Sequence, residues 1–344
     1  MKISRRIGMA VAAAAAAALL LSGCTSRNSD DTSASADAGG TDDLTIAFVP
    51  KLQGIPYFEA MNTGGQKAAE ELGFTWLYQG PTTADAAAQA DIVRSFIQQG
   101  VDVLFVAPND PDSLAPLLQE AQDAGIHVAT TDTDAPDSVR EVFVNQATAE
   151  GIGETLVDTL LDAMGGSGKF AIVSCGETAA NLNSWIDVMK THTAEAYPDA
   201  EIVDTVYAGE DQATATSMAT DLMNAHPDLT GLIGVCTSSA PGVAQAVTDA
   251  GRIGEVFTVG LGTPQSMLPY LKSGASSGSI LWDVEALGYL TGWAGVQLAK
   301  GNAFAATNDV SDALPAVEYD DATKTLLLGP PTVFTAENAG DYDY

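Results

Sequence analysis

Positive charge is what this sequence has least of. Lys+Arg number 14 against 45 Asp+Glu, a formal net charge of −31. Such a surface repels nucleic-acid phosphates and anionic bilayers, which excludes nucleic acid as a partner and favours a neutral or cationic ligand. Histidine is rarer still. His127, His192 and His226 stand alone, none with a second histidine or a cysteine at i+3 or i+4, so no metal site is expected. A run long enough to span a bilayer is also missing. The apolar stretch Ile7–Leu21 covers about 15 residues where a span needs roughly 20.

Complete catalytic signatures are absent too. Gly274-Ala275-Ser276-Ser277-Gly278 satisfies G-x-S-x-G, but a nucleophile elbow needs strand, sharp turn, then helix, and here the glycines precede a strand-like run. Gly165–Lys169 has phosphate-loop glycines, yet Phe170 occupies the required Ser/Thr position and a strand-like run follows. Carboxylates are plentiful, but in a chain of −31 their abundance says little about a catalytic pair. No cofactor is implied.

What is present begins with a leader. Lys2, Arg5 and Arg6 precede the Ile7–Leu21 run, and Leu21-Ser22-Gly23-Cys24 puts small residues before a cysteine. This is the pattern of a bacterial lipoprotein signal: residues 1–23 are removed and Cys24 carries the lipid. Loss of three cations and no acids takes the charge from −31 to −34. Residues 24–43, polar and of low complexity, form a flexible tether. The expected place is extracytoplasmic, on the outer face of a Gram-positive membrane or in a periplasm. Two further cysteines, Cys175 and Cys236, each end an apolar run, and either a disulfide or two buried thiols is compatible with that.

From Leu44 the chain alternates. Strand-like runs at Leu44–Val49, Phe74–Tyr78, Val101–Ala107 and Ile126–Thr131 are separated by helical periodicity over Phe58–Leu72 and Asp85–Gln99. Gly73, Gly100 and Gly125 stand where helix C-caps belong. The rhythm restarts after Gly165–Gly168, with strand-like runs at Phe170–Cys175, Glu201–Tyr207, Gly231–Cys236, Val256–Leu261 and Ser279–Trp282. Helical stretches fit Asn181–Ala196, Gln212–Ala225 and Pro241–Ala250, and a last one runs from Asp283 to Lys300. Two series at one spacing predict an α/β protein of two doubly wound lobes. A looser tail holds Thr325–Leu328 and Thr332–Phe334.

Thr45–Phe58, read TIAFVPKLQGIPYF, is the stretch around which the rest is arranged. A strand ends at Pro50, a polar loop carries Lys51, and Pro56 suits a first helical turn. Such loops lie at the carboxyl edge of an α/β sheet, where small ligands bind. The other polar residues at predicted strand ends are Asn109-Asp110, Asp132, Asp134, Asn145-Gln146, Asn181, Asn183, Ser238-Ser239 and Asp283. Carboxylates and amides suit vicinal hydroxyls, and Tyr57, Phe58 and Trp185 offer flat faces to a sugar ring. Each has an ordinary alternative: Asp110 as a helix cap, Tyr57 and Phe58 as lobe core, Lys51 as a loop lysine.

Several stretches carry a family resemblance: Phe48–Lys51 (FVPK), Gln79–Pro81 (QGP), Ala124–Ile126 (AGI), Thr130–Asp134 (TTDTD), Val144–Thr148 (VNQAT), Ala225–Leu229 (AHPDL), Gly262–Tyr270 (GTPQSMLPY), Leu281–Val284 (LWDV) and the closing DYDY. From Leu44 onward the chain resembles the sugar-type periplasmic binding proteins of ABC importers, nearest to the autoinducer-2-binding and rhamnose-binding groups. The resemblance implies a type I fold with a multi-strand hinge, residues 44–143 plus 283–304 forming lobe 1 and 144–282 plus 305–344 forming lobe 2. It puts Lys51 and Asp132 where autoinducer-2 binders hold their ligand, Asp110 at a hydroxyl-binding position of the ribose type, and Asp283 at the hinge. The second lobe departs, with Asn181-Leu182 in place of Asp-Gln and Val235-Cys236-Thr237 in place of Pro-Asp-Ala. In that topology the strands ending at Cys175 and Cys236 are neighbours, which makes a disulfide conceivable. The implied function is a monomeric, non-enzymatic receptor that passes a small sugar, polyol or autoinducer-2-like solute to an ABC permease. A secreted carbohydrate-processing enzyme with two cleft carboxylates and a sensory receptor are the alternatives.

Overall fold

A computed structural model describes residues 44–344. The leader 1–23, Cys24 and the tether 24–43 lie outside the described residues. Strand β1 (Thr45–Val49) is buried from Ile46 onward, as an interior parallel strand must be. Helix α1 (Pro56–Leu72) starts with Pro56 in its first turn and ends at Gly73, whose φ of 76° only glycine adopts freely.

The same unit repeats through β2 (Thr75–Tyr78), α2 (Ala86–Gln99), β3 (Val103–Val106), α3 (Pro111–Asp123), β4 (His127–Thr131) and β5 (Phe143–Asn145). Helix α4 (Ala149–Met164) then leads to a second series: β6 (Gly168–Ser174), α5 (Ala180–Ala196), β7 (Ala200–Tyr207), α6 (Gln212–Ala225), β8 (Leu229–Gly234), α7 (Ser239–Asp249), β9 (Phe257–Gly260), α8 (Pro264–Ser273) and β10 (Gly278–Leu281). Helix α9 (Val284–Ala299) returns to the first lobe and packs on α1. There β11 (Thr307–Asn308), β12 (Val317–Asp320) and β13 (Thr325–Leu327) follow, and β14 (Thr332–Phe334) lies on the second sheet.

The first sheet has the order β11-β12-β13-β5-β4-β3-β1-β2, the second β14-β10-β9-β8-β6-β7. The chain therefore crosses between sheets three times: after β5, at Trp282-Asp283, and between β13 and β14. This is the two-lobed, type I arrangement with a multi-strand hinge that the sequence resemblance implied.

The lobe boundaries need correction. Val144-Asn145 and the strands between 305 and 327, expected in lobe 2, belong to the first sheet. The reason is the edge that β5 would otherwise expose: β13 pairs parallel to it, Leu326 opposite Val144, and both side chains are fully buried. Strands of two to four residues carry too little alternation to announce which sheet they join.

Close packing of α1 on α9 holds the first lobe to the hinge. A Cβ on Gly64 would overlap the Glu285 carbonyl oxygen, and one on Gly288 the Met61 carbonyl oxygen, so the helices meet backbone to backbone. Tyr344, at the chain end, braces the middle crossing: its hydroxyl accepts from the Val284 N–H at 3.2 Å and donates to the Trp282 carbonyl at 3.3 Å. Among the described residues no helix is long and apolar enough to cross a membrane.

Candidate functional site

The loop after β1 is held by buried amides. Gln89 donates to the carbonyls of Pro50 (3.0 Å) and Ala107 (2.8 Å) and accepts from the Asn109 N–H, while Asn109 Nδ2 donates to the Lys51 carbonyl at 2.8 Å. That lattice fixes the Lys51 backbone and sends its side chain into the interior, where the residue is 4 % exposed. Lys51 Nζ donates to Asn181 Oδ1 at 2.9 Å and lies 3.5 Å from Asp132 Oδ2. A lysine this buried requires such partners.

Asp132 follows β4 with φ of 63°, left-handed backbone that Asp tolerates better than most residues. Its Oδ1 accepts from the Tyr57 hydroxyl at 2.7 Å and its Oδ2 from Thr133 Oγ1 at 3.0 Å. A strained, 4 % exposed carboxylate held on two sides marks a positioned group. Burial first, and then the Asp132 charge, push the Tyr57 pKa well above that of free tyrosine, so the phenol stays a donor. The Trp282 indole works the other way, though its Nε1 reaches hydrogen-bond geometry with no partner in the protein.

Aromatic rings wall this polar cluster. Tyr57 and Phe58 meet edge to face at 5.0 Å, Tyr57 and Trp282 at 5.9 Å, and Trp185 and Trp282 at 6.0 Å. Glu210, just beyond β7, and Val235-Cys236-Thr237, just beyond β8, close the second-lobe side. The space between these residues measures about 370 Å³ when the open solvent at its mouth is included. Desolvation raises the Glu210 pKa; Lys51 opposes this and Asp132 adds to it. Cys236 is bonded to Cys175 from the neighbouring strand end, with Cα atoms 6.2 Å apart. Glu210 and the two sulfurs lie within 4.8 Å of one another, but sulfurs bonded to each other offer no thiolate to a metal.

Of the residues expected at the site, Lys51, Tyr57, Phe58, Asp132, Asn181 and Trp185 line this cavity. The other four do not. Asp110 caps α3, accepting from the Ser113 N–H, and Asp283 caps α9, accepting from the Ala286 N–H. Asp134 is held by Arg140, whose Nη2 lies 2.7 Å from Oδ2, and also accepts from Thr130 Oγ1. Asn183 points the other way along α5 and donates to the Glu177 carbonyl. Glu210 and Trp282 were missed. The strand-end rule that selected Asp132 applies equally to Glu210, three residues past Tyr207.

Likeness to known proteins agrees with this architecture. The periplasmic binding protein domain matches residues 46–303. A D-ribose/D-allose-binding protein of Pseudomonas aeruginosa is 30% identical over 243 residues, covering 67% of this chain and 74% of the relative. The structure of LsrB from Clostridium saccharobutylicum in complex with AI-2 superposes with a TM-score of 0.82 at 29% identity, over 88% of this chain and 100% of the other. An ABC transporter solute-binding protein from Clostridium phytofermentas with bound L-rhamnose gives 0.81 at 29%, over 87% and 98%. Each of these is known by the solute it binds, the last as an ABC transporter solute-binding protein, and none as an enzyme, which sets aside the carbohydrate-processing alternative. The chain belongs to the periplasmic binding protein family, among the sugar-binding solute receptors of ABC transporters.

Proposed function

We propose that this protein is a lipid-anchored extracytoplasmic receptor, tethered through Cys24, that encloses a small sugar or sugar-like solute and presents it to an ABC permease. Rhamnose-like sugars, pentoses or polyols, and autoinducer-2-like molecules are the solutes in question. The observation that carries the reading is the inter-lobe cavity itself. Lys51, Asp132, Tyr57 and Asn181 gather at one end, and aromatic rings form the rest of the wall. Hydroxyls of a bound sugar would enter the polar cluster, and its C–H face would lie on Phe58, Trp185 or Trp282. Lobe movement about the three crossings would admit and release it.

A thermal-shift screen with L-rhamnose, autoinducer-2, D-ribose, other pentoses and hexoses, and four- and five-carbon alditols tests this. A solute that binds only the folded state stabilises it by about 2.7 kcal/mol at 100 times its dissociation constant, a readily seen rise in melting temperature. One clear hit names the solute. No rise with any of them removes this ligand class.

A further inference from the structure

Most polar groups in the cavity already satisfy one another. Lys51 is taken by Asn181 and Asp132, and Asp132 by Tyr57, Thr133 and Lys51. The exceptions are the Trp282 indole N–H, which has no partner, and Glu210. The Glu210 hydrogen bond is a long one, 3.4 Å from Ser238 Oγ to Oε2, and the carboxylate shares the cavity with Lys51 and Asp132, whose charges act on it in opposite senses. The cavity thus holds two carboxylates and one ammonium among aromatic and aliphatic walls. One negative charge has no cation of its own in a setting poor in water, where charge is costly unless matched.

Resting on the receptor reading above, we infer that Glu210 is the specificity-determining carboxylate of the second lobe, accepting hydroxyl donors from a neutral solute and turning away sugar acids. An ionised carboxylate has only acceptor sites, so it fits a hydroxyl or an ammonium and repels a second carboxylate. The unbonded indole N–H of Trp282, in a residue 3 % exposed, supplies a donor that a hydroxyl oxygen can meet. Lys51 does not offset a sugar acid's charge, because Asp132 already neutralises it at 3.5 Å. Protonation of Glu210 turns one of its oxygens into a donor and removes the charge that strengthens a hydroxyl's hydrogen bond, so capture of a neutral sugar weakens as the solution is made acidic.

The test is calorimetric titration of the protein and of Glu210→Gln with L-rhamnose, D-ribose and xylitol, and with the aldonate of whichever binds. Titrations are run at pH 7 and at about pH 5. The native chain should prefer the neutral solute at least tenfold at pH 7 and lose affinity toward pH 5. Glu210→Gln should bind the neutral solute about fivefold to tenfold more weakly, with no pH slope, and narrow the gap to the aldonate. Glu210→Asp, which keeps the charge, should keep the discrimination. A Glu210→Gln protein matching the native chain in affinity, discrimination and pH slope overturns the assignment alone. A native chain that binds none of these three and no solute of the thermal-shift screen overturns the receptor reading, and this inference with it.

Discussion

Lys51 and Asn181 meet across the cleft, Nζ to Oδ1 at 2.9 Å, one from the loop after β1 and the other from the first turn of α5. Two further bonds run beside theirs: Asn181 Nδ2 to the Asp132 carbonyl at 3.4 Å, and Thr178 Oγ1 to the Asn109 carbonyl at 3.0 Å. All three join a first-lobe residue to a second-lobe residue. Together they hold the lobes in a closed arrangement, each bond contributing about 0.5–1.5 kcal/mol net.

Asn181→Ala deletes two of the three at once. It should shift the unliganded protein toward open forms and weaken solute binding roughly fivefold to tenfold, the equivalent of about 1–1.4 kcal/mol. Small-angle scattering of the unliganded variant reads the first effect as a larger radius of gyration, and calorimetry reads the second. A variant with unchanged scattering and unchanged affinity would show that these contacts do not govern closure.

Asp132 has two separable contributions, charge and backbone. Asp132→Ala leaves the buried Lys51 ammonium and Tyr57 hydroxyl short of a partner and should cost about 1–3 kcal/mol of solute affinity. Alanine also fits the φ of 63° poorly, so the same change should lower the melting temperature. Asp132→Asn keeps a side chain that tolerates this backbone and should lose affinity with a smaller loss of stability. Equal melting temperatures for the two variants would argue that the left-handed backbone carries no strain worth the name.

The alternation of strands and helices was legible because parallel strands buried on both faces read as short apolar runs, and glycines close the helices. Helix α6 matches its expected span at both ends, since Asp211 caps it by accepting from the Thr214 N–H. The tail was not legible, because a two-residue strand such as β11 leaves no periodicity to read. At the site the difficulty is chemical. An aspartate between strand and helix serves equally well as a ligand holder or a cap, and nothing local distinguishes Asp132 from Asp110 or Asp283. Only the folded chain shows Arg140 occupying Asp134, and only it brings Glu210 and Lys51, from different lobes, to one cavity.

The Cys175–Cys236 bond ties the ends of adjacent strands across a sequence separation of 61. Replacing both cysteines by serine should therefore destabilise the fold by about 2–4 kcal/mol, mainly by releasing the unfolded chain. Urea denaturation of the native and double-serine proteins measures this as a lower midpoint. Because Cys236 also lines the cavity, the same variant should bind solute more weakly, while a distant stability loss of equal size should leave affinity alone.

Glu210 makes a prediction about stability that is independent of any solute. Its pKa in the folded protein is raised above the ordinary 4.5, chiefly by burial, so the folded state holds this proton more tightly than the unfolded chain does. By linkage, its effect on stability is fully unfavourable once pH exceeds the folded pKa, fades as pH falls from there toward 4.5, and is gone below it. Glu210→Gln removes the ionisable group and should raise the melting temperature at pH 7, with little change near pH 4 where both side chains are neutral. A variant less stable than the native chain at pH 7 would mean that the Lys51 attraction outweighs desolvation, and the carboxylate would then be a stabilising member of the cluster. Gain at neutral pH combined with weaker sugar binding would instead mark Glu210 as a residue kept at the expense of the fold for what it does to the ligand.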